Sequence, residues 1–224
     1  LDAKPIAEVG QVKHRAGQVY VPRALVSEIR SALGTAPPRA TKRTRPSGRC
    51  VVLDPGHGGK DPGAISTLGF YEKGVNLAVA LRVAAILQRK GVKVVTTRSS
   101  DRFVELEERA AIGNRHNADL FVSIHCDSSP NSSTRGFTMY VARSAAWSSR
   151  RAAAAIARSL ASTGLKGNGT RGADFRVLVH SRGPAVLIEL GYISNTSEAA
   201  LLKKSSFQDR LARAIAEGII QFLG

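Results

Sequence analysis

The chain has 224 residues, 43% of them hydrophobic and 22% charged, which excludes a wholly disordered or fibrous protein. No apolar run approaches the roughly 18 residues a membrane-spanning helix needs, and two cysteines exclude a disulfide scaffold or a four-cysteine metal site. A net charge of +16 suits a polyanionic partner or a merely solubilising surface, while 5% aromatic residues supply few stacking platforms for single-stranded nucleic acid.

The first residue is Leu1 and no targeting pattern follows it, so the chain reads as a mature or trimmed product. Residues 1–34 form an N-terminal extension that reads as the end of a preceding small module. In it Gly17 to Pro22 suggests a turn and a short β segment, and Ala24 to Leu33 a short helix before Gly34. Residues 35–49 hold three prolines and five basic residues, and 35–48 is assigned as a linker. Segment 1–48 carries nine Lys/Arg against three acids, a net +6 that leaves +10 on residues 49–224.

From Cys50 the pattern alternates. Strands are expected at Cys50–Asp54, Val92–Thr97, Leu120–His125, Phe137–Val141, Val177–Val179 and Ala185–Leu190. Helices are expected over residues 73–90, stopped by Gly91, and at Val104–Asn117, Ala145–Ser162 and Phe207–Leu223. Strands separated by helices imply an α/β domain at 49–224. Its sheet is mostly parallel, with helices on both faces.

In such sheets ligands gather at the carboxyl ends of the strands. The first core strand runs into Asp54-Pro55-Gly56-His57-Gly58-Gly59, the third ends at His125, the last reaches Glu189, and Glu72 lies just before the first core helix. Two histidines and a carboxylate around an open position form a catalytic zinc arrangement, and a further carboxylate can act as general base. Histidines at strand ends are also commonly structural, and the spacing is not a local zinc motif, so residue chemistry alone leaves both readings open. The glycine-rich loop 56–63 lacks the lysine and hydroxyl of a phosphate loop and the spacing of a dinucleotide loop. Its glycines are better explained by a backbone passing close to a metal or substrate.

Three blocks, DPGHGGKDPGA (54–64), TRSSDRFVELEERAAIGNRHNADLFVSIHCD (97–127) and PAVLIELGYISNTSEAALL (184–202), resemble the signatures of the zinc-dependent N-acetylmuramoyl-L-alanine amidases. The resemblance covers nearly all of 49–224 and implies an α/β domain with a mainly parallel, roughly six-stranded sheet. It implies one Zn2+ held by His57, Glu72 and His125, with Glu189 as the catalytic carboxylate. It implies hydrolysis of the amide between the lactyl group of N-acetylmuramic acid and L-alanine of the stem peptide. Peptidoglycan is then the partner, in wall remodelling and daughter-cell separation. The enzyme is expected to be exported to the periplasm or cell exterior, to be a monomer, and to bind no nucleic acid. Some members of the family carry a long insertion whose helix covers the zinc until an activator removes it. Only eleven residues separate His125 from Phe137 here, so no activator is expected to be required. The competing readings are a zinc peptidase acting within the stem peptide and a non-catalytic wall- or nucleic-acid-binding module.

Other residues carry blander expectations. Asp54 reads as a turn-forming or supporting residue, with orientation of a ligand imidazole as the alternative. Arg98 and Arg109 are expected to anchor local carboxylates such as Asp101 or Glu105, and Asn195 to cap the segment after it. His116 and His180 read as surface or packed histidines, and His14 as no metal candidate. Parallel strands would put Cys50 and Cys126 at opposite ends of the sheet, roughly 16 Å apart. That is beyond the ~7 Å limit for a bridge. Two thiols are expected, Cys126 being buried and inert rather than a thiolate perturbing the metal.

Overall fold

A computed structural model describes residues 48–224, together with the strands β1 (Lys13–Arg15) and β2 (Gln18–Tyr20). The chain divides into two compact units, Leu1–Ser47 and Gly48–Gly224. In the first unit β1 and β2 pair antiparallel, Lys13 opposite Tyr20, which matches the β segment expected near Val19. The helix expected at Ala24–Leu33, residues 35–47 of the linker and the side chain of His14 lie outside the described residues.

The second unit is built on β3 (Cys50–Pro55), β4 (Lys93–Thr96), β5 (Leu120–Asp127), β6 (Phe137–Val141), β7 (Gly167–Gly172) and β8 (Ala185–Tyr192). They form one six-stranded sheet in the order β4-β3-β5-β8-β6-β7. Every neighbouring pair is parallel except β6 with β8. The helices are α1 (Glu72–Arg89), α2 (Leu106–Arg115), α3 (Trp147–Leu160), α4 (Arg176–Val179), α5 (Thr196–Leu202) and α6 (Ser205–Leu223). None among the described residues is long and apolar enough to cross a membrane.

Strand alternation divides the core in two. Val51, Leu53, Leu120, Val122, Ile124, Val186 and Ile188 point to one face and meet the buried sides of α1, α3 and α6. Those sides repeat every four residues, Val75, Val79, Val83 and Leu87 in α1 and Phe207, Leu211, Ile215 and Ile219 in α6. The intervening residues Val52, Phe121 and Leu187 point to the other face, where Val177 and Leu178 of α4 and Ile112 of α2 cover them. The α/β class, the mostly parallel sheet and the helices on both faces are as expected.

Four details differ from expectation. Val177–Val179 is not a strand but part of the single-turn helix α4, because three β-branched or apolar residues are too few to fix a period. The sixth strand is β7, in a glycine-rich stretch where no strand is expected from the sequence. It pairs with β6 through backbone groups that need no apolar alternation. An additional helix, α5, follows Asn195, whose side chain accepts from the Glu198 N–H as the expected cap. Strands β5 and β8 run past His125 and Glu189 to Asp127 and Tyr192, so both residues lie inside strands rather than at their ends. Cys50 and Cys126 are buried thiols at opposite ends of the parallel strands.

Candidate metal centre

Alternation also decides where the polar groups go. Asp54, Ser123, His125 and Glu189 share parity with Val52, Phe121 and Leu187, so all four stand on the face of the smaller core, at its carboxyl-end rim. Cys126 has the opposite parity and its side chain joins the larger core. Burial there, with Glu72 and Glu189 nearby, pushes its thiol well above the usual range. It is not aimed at the site as a thiolate.

The first imidazole comes from the loop after β3. His57 adopts a left-handed backbone, φ 61°, while Gly56 N–H bonds the Ile124 carbonyl. A Cβ on Gly56 would lie 2.1 Å from His125 Cε1, and one on Gly63 would lie 2.6 Å from Glu72 Oε2. Only glycine permits these close approaches. His57 Nδ1 lies 2.8 Å from Asp61 Oδ2, and its Nε2 lies 3.1 Å from Glu72 Oε1.

Glu72 opens α1 and is 4% exposed. Its Oε2 accepts from Ala64 N–H at 3.0 Å, and its Oε1 accepts from Asn76 Nδ2 at 2.9 Å and Cys126 N–H at 3.1 Å. His125 Nδ1 reaches the same Oε1 at 3.0 Å. The two imidazoles meet edge to face, centroids 4.9 Å apart. One potential ligand atom from each of His57, Glu72 and His125 lies within 4.8 Å of the other two. Two imidazole nitrogens and a carboxylate oxygen fit a divalent transition metal. Asp61, behind His57, supplies the carboxylate that commonly fixes a ligand imidazole's tautomer. It was not singled out in the sequence, although its place four residues after His57 in the same loop is a readable signal.

The charges agree. Burial would lower the His57 pKa, but the Glu72 and Asp61 carboxylates outweigh it and hold the imidazole above its ordinary 6.5. Burial would raise Glu72, but hydrogen bonds from His125 and His57 hold it well below the carboxylate range. Glu189 is the opposite case. Burial first, then Asp127 and Glu72, raise its carboxyl well above the ordinary range, and its buried Oε2 has no hydrogen-bond partner among the described residues. Glu189, His57, His125 and Asp61 line one cavity of about 410 Å3, whose far wall includes Phe103 and Phe175.

Behind the site two arginines hold the loop. Arg109 Nη1 pairs with Asp54 at 2.9 Å, and its other donors take the carbonyls of Pro55, Val104 and His57. Arg98 binds the carbonyls of Pro55, Gly56 and Lys73. The carboxylate that Arg109 anchors is thus Asp54 rather than Asp101 or Glu105, while Arg98 holds backbone carbonyls and meets Asp101 only through charge. Asp101 instead pairs with Lys73 at 2.7 Å. The Asp54 carboxylate is filled by Arg109, Thr97 and Ser123, and it orients no imidazole. His116 and His180 are exposed.

Residues 51–221 match the N-acetylmuramoyl-L-alanine amidase family. The chain belongs to this family. The amidase is 39% identical over 177 residues to the N-acetylmuramoyl-L-alanine amidase LytC of Bacillus subtilis, covering 78% of this chain and 36% of that one. It is 32% identical over 246 residues to AmiA of Escherichia coli, covering 87% of this chain and 82% of that one. Among solved structures it is similar to the catalytic domain of CwlV from Bacillus (Paenibacillus) polymyxa var. colistinus. That match has a TM-score of 0.75 and 42% identity, and covers 78% of this chain and 98% of that one. Amidases of this family are metal-dependent, and the amidase's His57, Glu72 and His125 can together hold an ion.

Proposed function

We propose that the chain hydrolyses the amide between the lactyl group of N-acetylmuramic acid and L-alanine of the peptidoglycan stem peptide, using Zn2+ held by His57, Glu72 and His125 and proton transfer by Glu189. The observation that carries this reading is the gathering of three ligand atoms within 4.8 Å on the rim that also carries Glu189. When bound, the cation supplies Lewis-acid activation of water and of the scissile carbonyl, and its charge offsets the burial that raises Glu189.

The residues of the chain do the rest. Asp61 keeps the His57 proton on Nδ1, which leaves Nε2 a lone pair for the metal. Ala64 N–H, Cys126 N–H and the Asn76 amide fix both oxygens of Glu72. Arg98 and Arg109 bind the carbonyls on either side of Gly56, so the loop bearing His57 cannot drift from the rim. Glu189 takes the proton of the attacking water and returns it to the departing L-alanine nitrogen. The cavity beside it has room for one side of the reacting amide.

The basic surface fits a polymer whose stem peptides carry carboxylates. In our reading the enzyme works as an exported monomer in the cell envelope. Residues 128–136 between β5 and β6 contain no helix, which supports turnover without an activator protein.

The test is hydrolysis of a soluble muropeptide with and without a chelator, followed by readdition of zinc. We expect intact stem peptide with L-alanine at its new amino terminus, lost on chelation and restored by zinc. Fragments lacking that terminus would identify a peptidase, and no release by zinc-loaded protein would overturn the reading.

A further inference from the structure

Three buried side-chain polar atoms have no hydrogen-bond partner among the described residues: Asn76 Oδ1, Thr138 Oγ1 and Glu189 Oε2. The last two belong together. Thr138 of β6 and Glu189 of β8 are opposed in antiparallel register, next to Met139 opposite Ile188 and Tyr140 opposite Leu187. Met139 and Ile188 point into the larger core, while Tyr140 and Leu187 pack in the smaller one. By alternation Thr138 and Glu189 therefore share the face that carries the site. Directly opposed residues place their Cβ atoms about 4.5–5.5 Å apart, within reach of a hydroxyl and a carboxylate.

The hydroxyl has no hydrogen-bond partner among the described residues. Thr138 is 0% exposed, so bulk water does not reach it. The register of β6 against β7 shifts between Phe137 and Met139, at Thr138 itself. Such irregularities re-aim side chains beside active sites. Asn76, the remaining case, donates its amide to Glu72 and Gly56. A buried donor and a buried acceptor on facing residues, each otherwise unfilled, run against the near-complete pairing of buried polar groups in folded proteins.

Building on the assignment of Glu189 as the proton-transferring carboxylate, we propose that Thr138 is its positioning residue. Rotation about χ1 lets the Thr138 hydroxyl donate to Glu189 Oε2. One carboxylate oxygen is then held, and the other is left to face the water and the amide nitrogen. The hydroxyl touches no reacting atom. It favours the ionised, base-competent carboxylate and narrows its orientations during turnover.

The test compares Thr138→Val, which keeps the shape and deletes the hydroxyl, with Thr138→Ser, which keeps the hydroxyl. On zinc-loaded enzyme and soluble muropeptide, Thr138→Val should lower kcat roughly tenfold or more, with KM, zinc content and melting temperature unchanged. Thr138→Ser should restore kcat to near the parent. In a Glu189→Gln background, Thr138→Val should cause no further loss, which a merely structural defect would not reproduce. Should Thr138→Val not fold, Thr138→Ala against Thr138→Ser provides the same contrast. Parental kcat in the hydroxyl-free variants, or an equal loss in the Glu189→Gln background, would overturn the proposal. Full activity of Glu189→Gln alone would instead remove Glu189 from proton transfer, and the role of Thr138 with it.

Discussion

Asp54 and Glu189 stand on the same face of the same sheet, one on β3 and one on β8, and are treated in opposite ways. Asp54 is 0% exposed, and its oxygens are filled by Arg109, Thr97 and Ser123. Glu189 lines the cavity and, among the described residues, has no cationic partner and keeps a buried oxygen unfilled. The first carboxylate is committed to holding the loop that carries His57. The second retains the capacity to gain and lose a proton. Burial alone does not separate a structural carboxylate from a chemical one, but the filling of its lone pairs does.

The largest effect should come from Glu189→Gln. The amide cannot accept a proton, and the rate should fall about 10²–10⁴-fold while fold and zinc content persist. Turnover within a few-fold of the parent would erase the contrast. Asp54→Ala should do the reverse. It strands the 2%-exposed Arg109 side chain without its anion, costing about 3 kcal/mol or more. A melting temperature unchanged from the parent would show that the three carbonyls suffice. Asp61→Asn lies between the two, since Asp61 is partly exposed and supports a ligand. Zinc affinity, read by competition with a chelating dye, should drop about 10- to 100-fold.

The smallest effect concerns pH in the metal-stripped protein. The folded-state pKa values of His57 and Glu189 are raised above 6.5 and 4.5. Each contribution is fully present below the unfolded value and is lost as pH rises through the folded one. Glu72 and Asp61 are lowered from 4.5 and 3.8, so theirs is present above those values and is lost on acidification. Melts in chelator from about pH 4 to pH 9 should therefore peak in mild acid. Glu189→Gln should flatten the alkaline limb, and an unchanged slope would mean that Glu189 does not titrate with folding.

Much of this was readable in the chain, and the gaps have physical causes. The buried parallel strands announce themselves as runs such as Val51-Val52-Leu53, and α1 and α6 by a four-residue apolar repeat. The rule that ligands gather at strand ends is enough to bring His57, Glu72, His125 and Glu189 to one rim. The partners of Arg109 were invisible because Asp54 lies 55 positions away and only the docking of α2 brings them together. Strand β7 was missed because its pairing uses backbone groups, and β-branched Val177–Val179 took its place in the pattern. Thr138 looked like any strand threonine until register placed it opposite Glu189.

The two outer strands of the sheet bear on how the protein behaves in a crowd. Strand β7 is glycine at three of six positions, with Asn168, Thr170 and Arg171 between them, and β4 opens on exposed Lys93. An unpaired strand edge is a template for another chain, and glycine, polar groups and cationic side chains make a poor one. Copies massed on a wall surface should therefore remain dispersed rather than join sheet to sheet, and a shared charge of +16 adds mutual repulsion to that protection.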